Sequence, residues 1–185
     1  DLLGKGYAVV AIDLRGQGGQ TPLPEDREVL TAIDVQNSFR DVQAAINWFR
    51  GESAIDSDRI AIIGNGSGGN VAYVSSGVFN QQIRTTVSLS PGLWQASTLE
   101  PLVVGDGLSS FGKARSMLFL VGESDQLPVS DGIALKYADF ARNLLAVTET
   151  PKDLKVFDSA AHGFDLLREV PEAKEIIFQW LEKNL

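Results

Sequence analysis

The stretch Arg59-Ile60-Ala61-Ile62-Ile63-Gly64-Asn65-Gly66-Ser67-Gly68-Gly69-Asn70-Val71-Ala72 constrains the chain more than any other. A short apolar run meets a cluster of glycines, and a helix-like pattern follows. Two strand-to-helix turns fit. One is the elbow G-x-S-x-G, in which a sharp turn lifts a nucleophile off the end of a strand. The other is the phosphate-binding loop G-x-G-x-x-G, which Gly64, Gly66 and Gly69 match letter for letter. With the strand ending at Ile63, Gly64 and Gly68 become the elbow glycines, and the nucleophile position is occupied by Gly66. Ser67 lies one residue late. Neighbouring side chains on a tight turn point in different directions, so Ser67 does not simply stand in. The phosphate-loop reading, a dinucleotide-binding domain, expects a carboxylate at the end of the next strand to hold a ribose. Ile83 to Ser90 offers none, and a strand and a helix already precede the glycines.

The rest of the chain alternates apolar runs with helical patterns. Gly6 to Asp13 is almost continuously apolar and reads as a strand buried on both faces, as in a parallel sheet. Leu14 to Asp26, with Gly16, Gly18, Gly19, Pro22 and Pro24, reads as a loop. Val35, Phe39, Val42, Ile46 and Phe49 recur at helical spacing, with Thr31 or Asp34 available as N-cap. Strands are expected at Arg59–Ile63, Ile83–Leu89, Ser116–Val121 and Leu154–Phe157. The elbow helix is expected to run to about Gly77. Further helices are expected around Ile133, Tyr137, Phe140, Ala141 and Leu144, and from Pro171 through Ile176, Ile177, Trp180 and Leu181. Residues 91–113 are irregular and read as a small cap or an active-site loop. The result is an α/β class chain with about five strands, a mainly parallel sheet and flanking helices, in one domain over residues 1–185.

Composition narrows the partners. A net charge of −8 and a pI near 4.6 argue against nucleic acid or an anionic membrane surface. No apolar run approaches the ~20 residues of a membrane-spanning helix. Cysteine is absent, which excludes disulfides and thiolate metal sites and fits a reducing, cytoplasmic compartment. His162 is the single histidine, so a multi-histidine metal site is excluded.

Four segments in order, each at a strand end, resemble the α/β-hydrolase superfamily. Gly6 to Gly16 resembles its fourth strand and exit loop. Asp56 to Gly69 resembles the approach to its elbow, and Gly122 to Asp125 the loop carrying its acid. Ala161 to Phe164 resembles its histidine loop in the dienelactone-hydrolase-like and prolyl-oligopeptidase-like form. Arg15-Gly16-Gln17-Gly18-Gly19 is similar to a motif of acetyl xylan esterases. The order elbow, acid, histidine is the family's order. The resemblance implies cleavage of a carboxylic ester, lactone or peptide bond through a serine acyl-enzyme, on small-molecule or peptide substrates, with no metal and no organic cofactor. It also implies that the N-terminal third of the fold, including its third strand, lies outside these residues. A slot of two strand spacings, roughly 9.5 Å, is then expected between residues 7–13 and 59–63, and its exposed edges favour oligomerisation.

By the same resemblance His162 is the base, Asp125 the acid and Gly66 the nucleophile position, with the backbone N–H of Ser67 as oxyanion donor. Glu123 and Asp106 are weaker choices for the acid. Gln17 and Trp94 are candidate substrate contacts, against the plainer readings of a turn residue and a packing residue. Arg15 reads equally as a residue that pins its loop by an ion pair. The Ser67 side chain reads as a helix cap. A chain without the serine retains at most the residual rate that binding and an oxyanion hole supply. The alternative is a non-catalytic binding or interaction module on the same fold.

Overall fold

The computed structural model describes residues 1–17, 31, 34–35, 37–92, 113–130 and 132–185. Its centre is a parallel sheet in the order β1-β2-β3-β6, made of Ile60–Asn65, Ile83–Leu89, Arg115–Gly122 and Glu149–Phe157. The helices are α1 (Phe39–Gly51), α2 (Ser67–Val78), α3 (Tyr137–Val147), α4 (Leu166–Glu169) and α5 (Pro171–Asn184). Parallel strands covered on both faces need apolar residues at successive positions, and β3 supplies them. Its Met117, Phe119 and Val121 point to one face, where they pack with Tyr73 and Val74 of α2 and Ala138, Ala141 and Leu144 of α3. Leu118 and Leu120 point to the other, against Leu166 of α4 and Ala173, Ile177 and Leu181 of α5. All five β3 residues have no exposed surface.

The expected helix start shifts. Thr31 and Asp34 do cap a turn reciprocally: the Thr31 N–H and hydroxyl donate to Asp34 Oδ2 (2.8 and 2.6 Å), and the Asp34 N–H donates to Thr31 Oγ1 (3.3 Å). The long helix α1, however, begins only at Phe39, after Ser38. A second difference is an antiparallel hairpin, β4 (Gln126–Ser130) with β5 (Ile133–Lys136), in which Ser130 pairs with Ile133. Ile133 is therefore a strand residue, 61% exposed, and α3 starts at Tyr137. The sequence signal was the Asp131-Gly132 pair between alternating apolar residues.

The largest correction concerns residues 7–13, expected as a buried strand. They belong to neither sheet, and among the described residues no backbone hydrogen bond joins them to β1. An apolar run makes a strand only where a neighbour answers its N–H and C=O groups. Tyr7 and Leu14, at the two ends, still pack against the core. Between them Val9, Val10 and Ile12 are 48%, 39% and 40% exposed. Val10 and Ile12 line a hollow of about 470 Å³ with Ala44, Ala45 and Trp48 of α1. The 185-residue chain is accordingly expected to self-associate and to bind a hydrophobic dye. Val10→Lys with Ile12→Lys should move it toward monomer in light-scattering chromatography and reduce the dye signal. A monomeric, dye-negative parent chain would contradict this.

Candidate active site

Four strand ends converge on one place. Beyond β1 the chain turns at Gly66, with φ 55° and ψ −118°, and α2 starts at once with Ser67. A positive φ with this ψ is strained for any residue with a Cβ and open to glycine. The Gly66 N–H donates to the Leu89 carbonyl at 2.9 Å, and the Asn70 N–H donates to the Gly66 carbonyl at 3.2 Å, closing the first turn of α2. A Cβ built on Gly66 lies 3.1 Å from His162 Nε2, and within 4 Å it meets no described residue but His162. The strand runs two residues past the expected Ile63, to Asn65, and the helix starts at Ser67, with Gly66 alone between them.

Beyond β3, the loop that ends at Asp125 is tied to the loop beyond β6: Glu123 N–H donates to the Phe157 carbonyl (2.8 Å) and Ser124 N–H to the Ser159 carbonyl (3.0 Å). These bonds bring Asp125 to His162, whose Nδ1 lies 3.0 and 3.1 Å from the two carboxylate oxygens. A carboxylate only accepts, so Nδ1 carries the hydrogen and Nε2 is left as the basic nitrogen facing Gly66. The Asp125 side chain is 3% exposed and that of His162 43%. The ring of Tyr137, at the start of α3, lies 4.6 Å from the His162 ring and backs it. Asp125 raises the His162 pKa above the ordinary histidine value, chiefly by accepting its hydrogen bond. Partial burial opposes the shift, and the charges of Asp125 and Asp165 add to it.

Ser90, which the sequence reading passed over, completes the arrangement beyond β2. It is fully buried, and its hydroxyl donates to Asp125 Oδ2 (2.6 Å) while accepting the Gly163 N–H (2.8 Å). One hydroxyl thus joins the acid to the loop bearing the histidine. The only sequence signal was a serine before Pro91 at a strand end. Ser90→Ala strands the Gly163 N–H in the interior, at about 1–3 kcal/mol, and leaves Asp125 Oδ2 with His162 Nδ1 as its remaining side-chain donor. Urea unfolding should register a loss of about 1–3 kcal/mol; a loss under about 0.5 kcal/mol would mean that the hydroxyl bridges nothing. Asn70 was missed as well: its carboxamide binds Gly92 through both its ends, accepting from the N–H (3.0 Å) and donating to the carbonyl, which anchors the chain leaving β2.

The other expected residues fall elsewhere. Ser67 is not the cap of α2; the cap position is Gly66, and the Ser67 hydroxyl makes no hydrogen bond among the described residues. Its backbone N–H is one of the first-turn donors that a helix leaves without an internal acceptor. Glu123 faces outward and pairs with Lys136 (3.2 Å) and Arg142 (2.7 Å). Arg15 grips Asp41 of α1 at 2.7 Å and so pins its loop. The Gln17 N–H closes a turn on the Leu14 carbonyl at 2.9 Å. Trp94, Asp106, Gly18, Gly19 and residues 93–112 of the expected cap or loop lie outside the described residues. Among the described residues no group of three His, Cys, Asp or Glu side chains is arranged to hold a metal, and no helix is long and apolar enough to cross a membrane.

The profile of the family described as alpha/beta hydrolase fold matches residues 1–162. No curated protein sequence matches the chain. Among solved structures, an esterase from Pyrococcus furiosus superposes with a TM-score of 0.72 at 20% identity, over 99% of this chain and 73% of that one. A dienelactone hydrolase from Anabaena variabilis gives 0.61 at 18% identity, over 82% and 62%. Acetyl xylan esterase 1 from Thermoanaerobacterium gives 0.60 at 19% identity, over 97% and 67%. The chain thus spans 62% to 73% of the length of these structures.

Proposed function

The chain belongs to the alpha/beta hydrolase fold family, and we propose that its site is the acyl-transfer site of a serine hydrolase in which glycine occupies the nucleophile position. The observation that carries this reading is the alignment at Gly66. The Cβ direction of Gly66 meets His162 Nε2 at 3.1 Å, while Nδ1 of the same ring is held on buried Asp125. A side-chain hydroxyl at position 66 would give its proton to Nε2 as it attacked an acyl carbon. Asp125 fixes the tautomer and stabilises the imidazolium that forms, and the Ser67 N–H faces the developing oxyanion. Carboxylic esters come first as substrates, since the structural neighbours include esterases; lactones and peptides share the same acyl chemistry. No step calls for a metal or an organic cofactor. Because the nucleophile is absent, the chain forms no acyl-enzyme.

The second reading, a non-catalytic binding module, rests on Gly66 itself. Labelling with a fluorophosphonate separates the two. The parent chain is expected to stay unlabelled and Gly66→Ser to label at position 66, with His162→Ala in that background abolishing the label. A folded Gly66→Ser chain that refuses the probe favours the binding module. Labelling of the parent chain that Ser67→Ala removes would make Ser67 the nucleophile.

A further inference from the structure

This inference rests on the hydrolase reading and extends it to the chain as it stands. Every part of the proton-transfer apparatus is retained around Gly66. The acid is buried and its carboxylate is held by two donors, the His162 Nδ1–H shared between its oxygens and the Ser90 hydroxyl. Nε2 has no hydrogen-bond partner among the described residues. Among the described residues, its chain neighbours aside, the His162 ring is the one group within 4 Å along the Cβ direction of Gly66, and that ring is nearly half exposed. A general base needs only an O–H within about 2.6–3.2 Å of its lone pair and an acceptor carbon beyond it. Nothing in that requirement demands that the O–H be tethered to the chain.

We propose that Gly66 makes the site a seat for a small primary alcohol of methanol size, which His162 activates to take an acyl group directly from an ester. The alcohol's methyl rests on the Gly66 backbone, which carries no side chain of its own, and its hydroxyl on Nε2. Its O–H proton passes to Nε2 as its oxygen bonds to the acyl carbon, and the carbonyl electron pair moves onto the oxyanion. Collapse of that intermediate breaks the ester C–O bond. The leaving oxygen takes the electron pair and the proton from the imidazolium. With p-nitrophenyl acetate and methanol the products are methyl acetate and p-nitrophenol, and no covalent enzyme species arises. Ethanol fits less well, and 2-propanol places a second carbon against the Gly66 backbone. Water is the competing nucleophile and gives acetate.

Loss of the tether sets the scale. A well-placed intramolecular nucleophile is worth about 10⁵–10⁸ M. Methanol at about 1 M should therefore recover no more than ~10⁻⁵ of the Gly66→Ser rate. Concentrated protein and long incubation bring this within reach of gas chromatography of methyl acetate. The parent chain is expected to form methyl acetate in proportion to methanol, with yields falling from methanol to ethanol to 2-propanol. His162→Ala should lower the catalysed yield about 10²-fold. Gly66→Ala, whose Cβ enters the alcohol's place, should do nearly the same. Without any variant, the lone histidine offers a second measurement: its ring proton resonance should shift saturably with methanol and not with tert-butanol. If Gly66→Ser hydrolyses the ester while the parent chain yields no more methyl ester than His162→Ala, the alcohol seat is overturned and the hydrolase reading stands. If acetate alone forms in a His162-dependent way, water rather than alcohol is served, and the proposal again falls. If a folded Gly66→Ser chain is inert, both fall together.

Discussion

Gly66→Ser is expected to raise turnover of a small activated ester by about 10⁴- to 10⁶-fold over the parent chain, the range that removal of a serine nucleophile costs elsewhere. The gain carries a structural cost. At φ 55° and ψ −118° a residue with a Cβ sits in a sparsely populated conformation, worth about 1–3 kcal/mol. The new Cβ also approaches His162 Nε2 to 3.1 Å, so the ring must give by a few tenths of an ångström. Its side chain is 43% exposed, which leaves room to do so. Activity should therefore appear together with a lower urea midpoint in the same preparation. The pH profile follows from the raised His162 pKa. Only neutral imidazole takes a proton, so the rate falls as pH drops through that pKa, with its midpoint above the unperturbed ~6.5. Asp125→Asn should move this limb to lower pH and cost about 10⁴-fold in rate. A folded Gly66→Ser chain with no activity, or a limb indifferent to Asp125, would remove the basis of the assignment.

Gly64→Ala is expected to cost about 3 kcal/mol or more, whereas Gly68→Ala should be tolerated. The two glycines hold equivalent places in the pattern G-x-S-x-G, yet their surroundings differ. A Cβ on Gly64 would lie 2.2 Å from the Gly68 carbonyl oxygen and 2.8 Å from Ala72 Cβ. Those atoms are backbone and the base of α2, so relief requires lifting the helix off β1. A Cβ on Gly68 meets no described atom within 4 Å. There alanine removes backbone entropy from the unfolded chain and should stabilise α2 by up to about 1 kcal/mol. Thermal or urea unfolding of the two variants checks the contrast. Equal losses would mean that strand and helix are not in the close contact described.

The sequence revealed most where the local pattern and the tertiary environment coincide. β2 was expected at Ile83–Leu89 and lies there, and β3 differs by a residue at each end, because buried parallel strands leave unbroken apolar runs. β6 extends back to Glu149 from the expected Leu154. Its early residues lie on a sheet edge with water on one side, so their polar character hid them. Tyr7–Asp13 misled for the opposite reason: the residues report apolarity, but ladder formation depends on a neighbour that no local pattern encodes. In the candidate site, Gly66, Asp125 and His162 could be singled out because each follows an apolar strand pattern, and the structure brings the three together. Ser90 was not, since a serine after a strand is commonplace and its value lies in two contacts, 35 and 73 residues away in sequence.

Gly66, Ser90, Asp125 and His162 follow β1, β2, β3 and β6, so the candidate site hangs from one four-stranded sheet to which Tyr7–Asp13 contributes no rung. Amide exchange with heavy water should then divide the molecule. The amides of residues 7–13 exchange through local fraying, while those of β2 and β3 await global opening. The first stretch of the chain can loosen, or change its neighbours, without pulling His162 from Asp125.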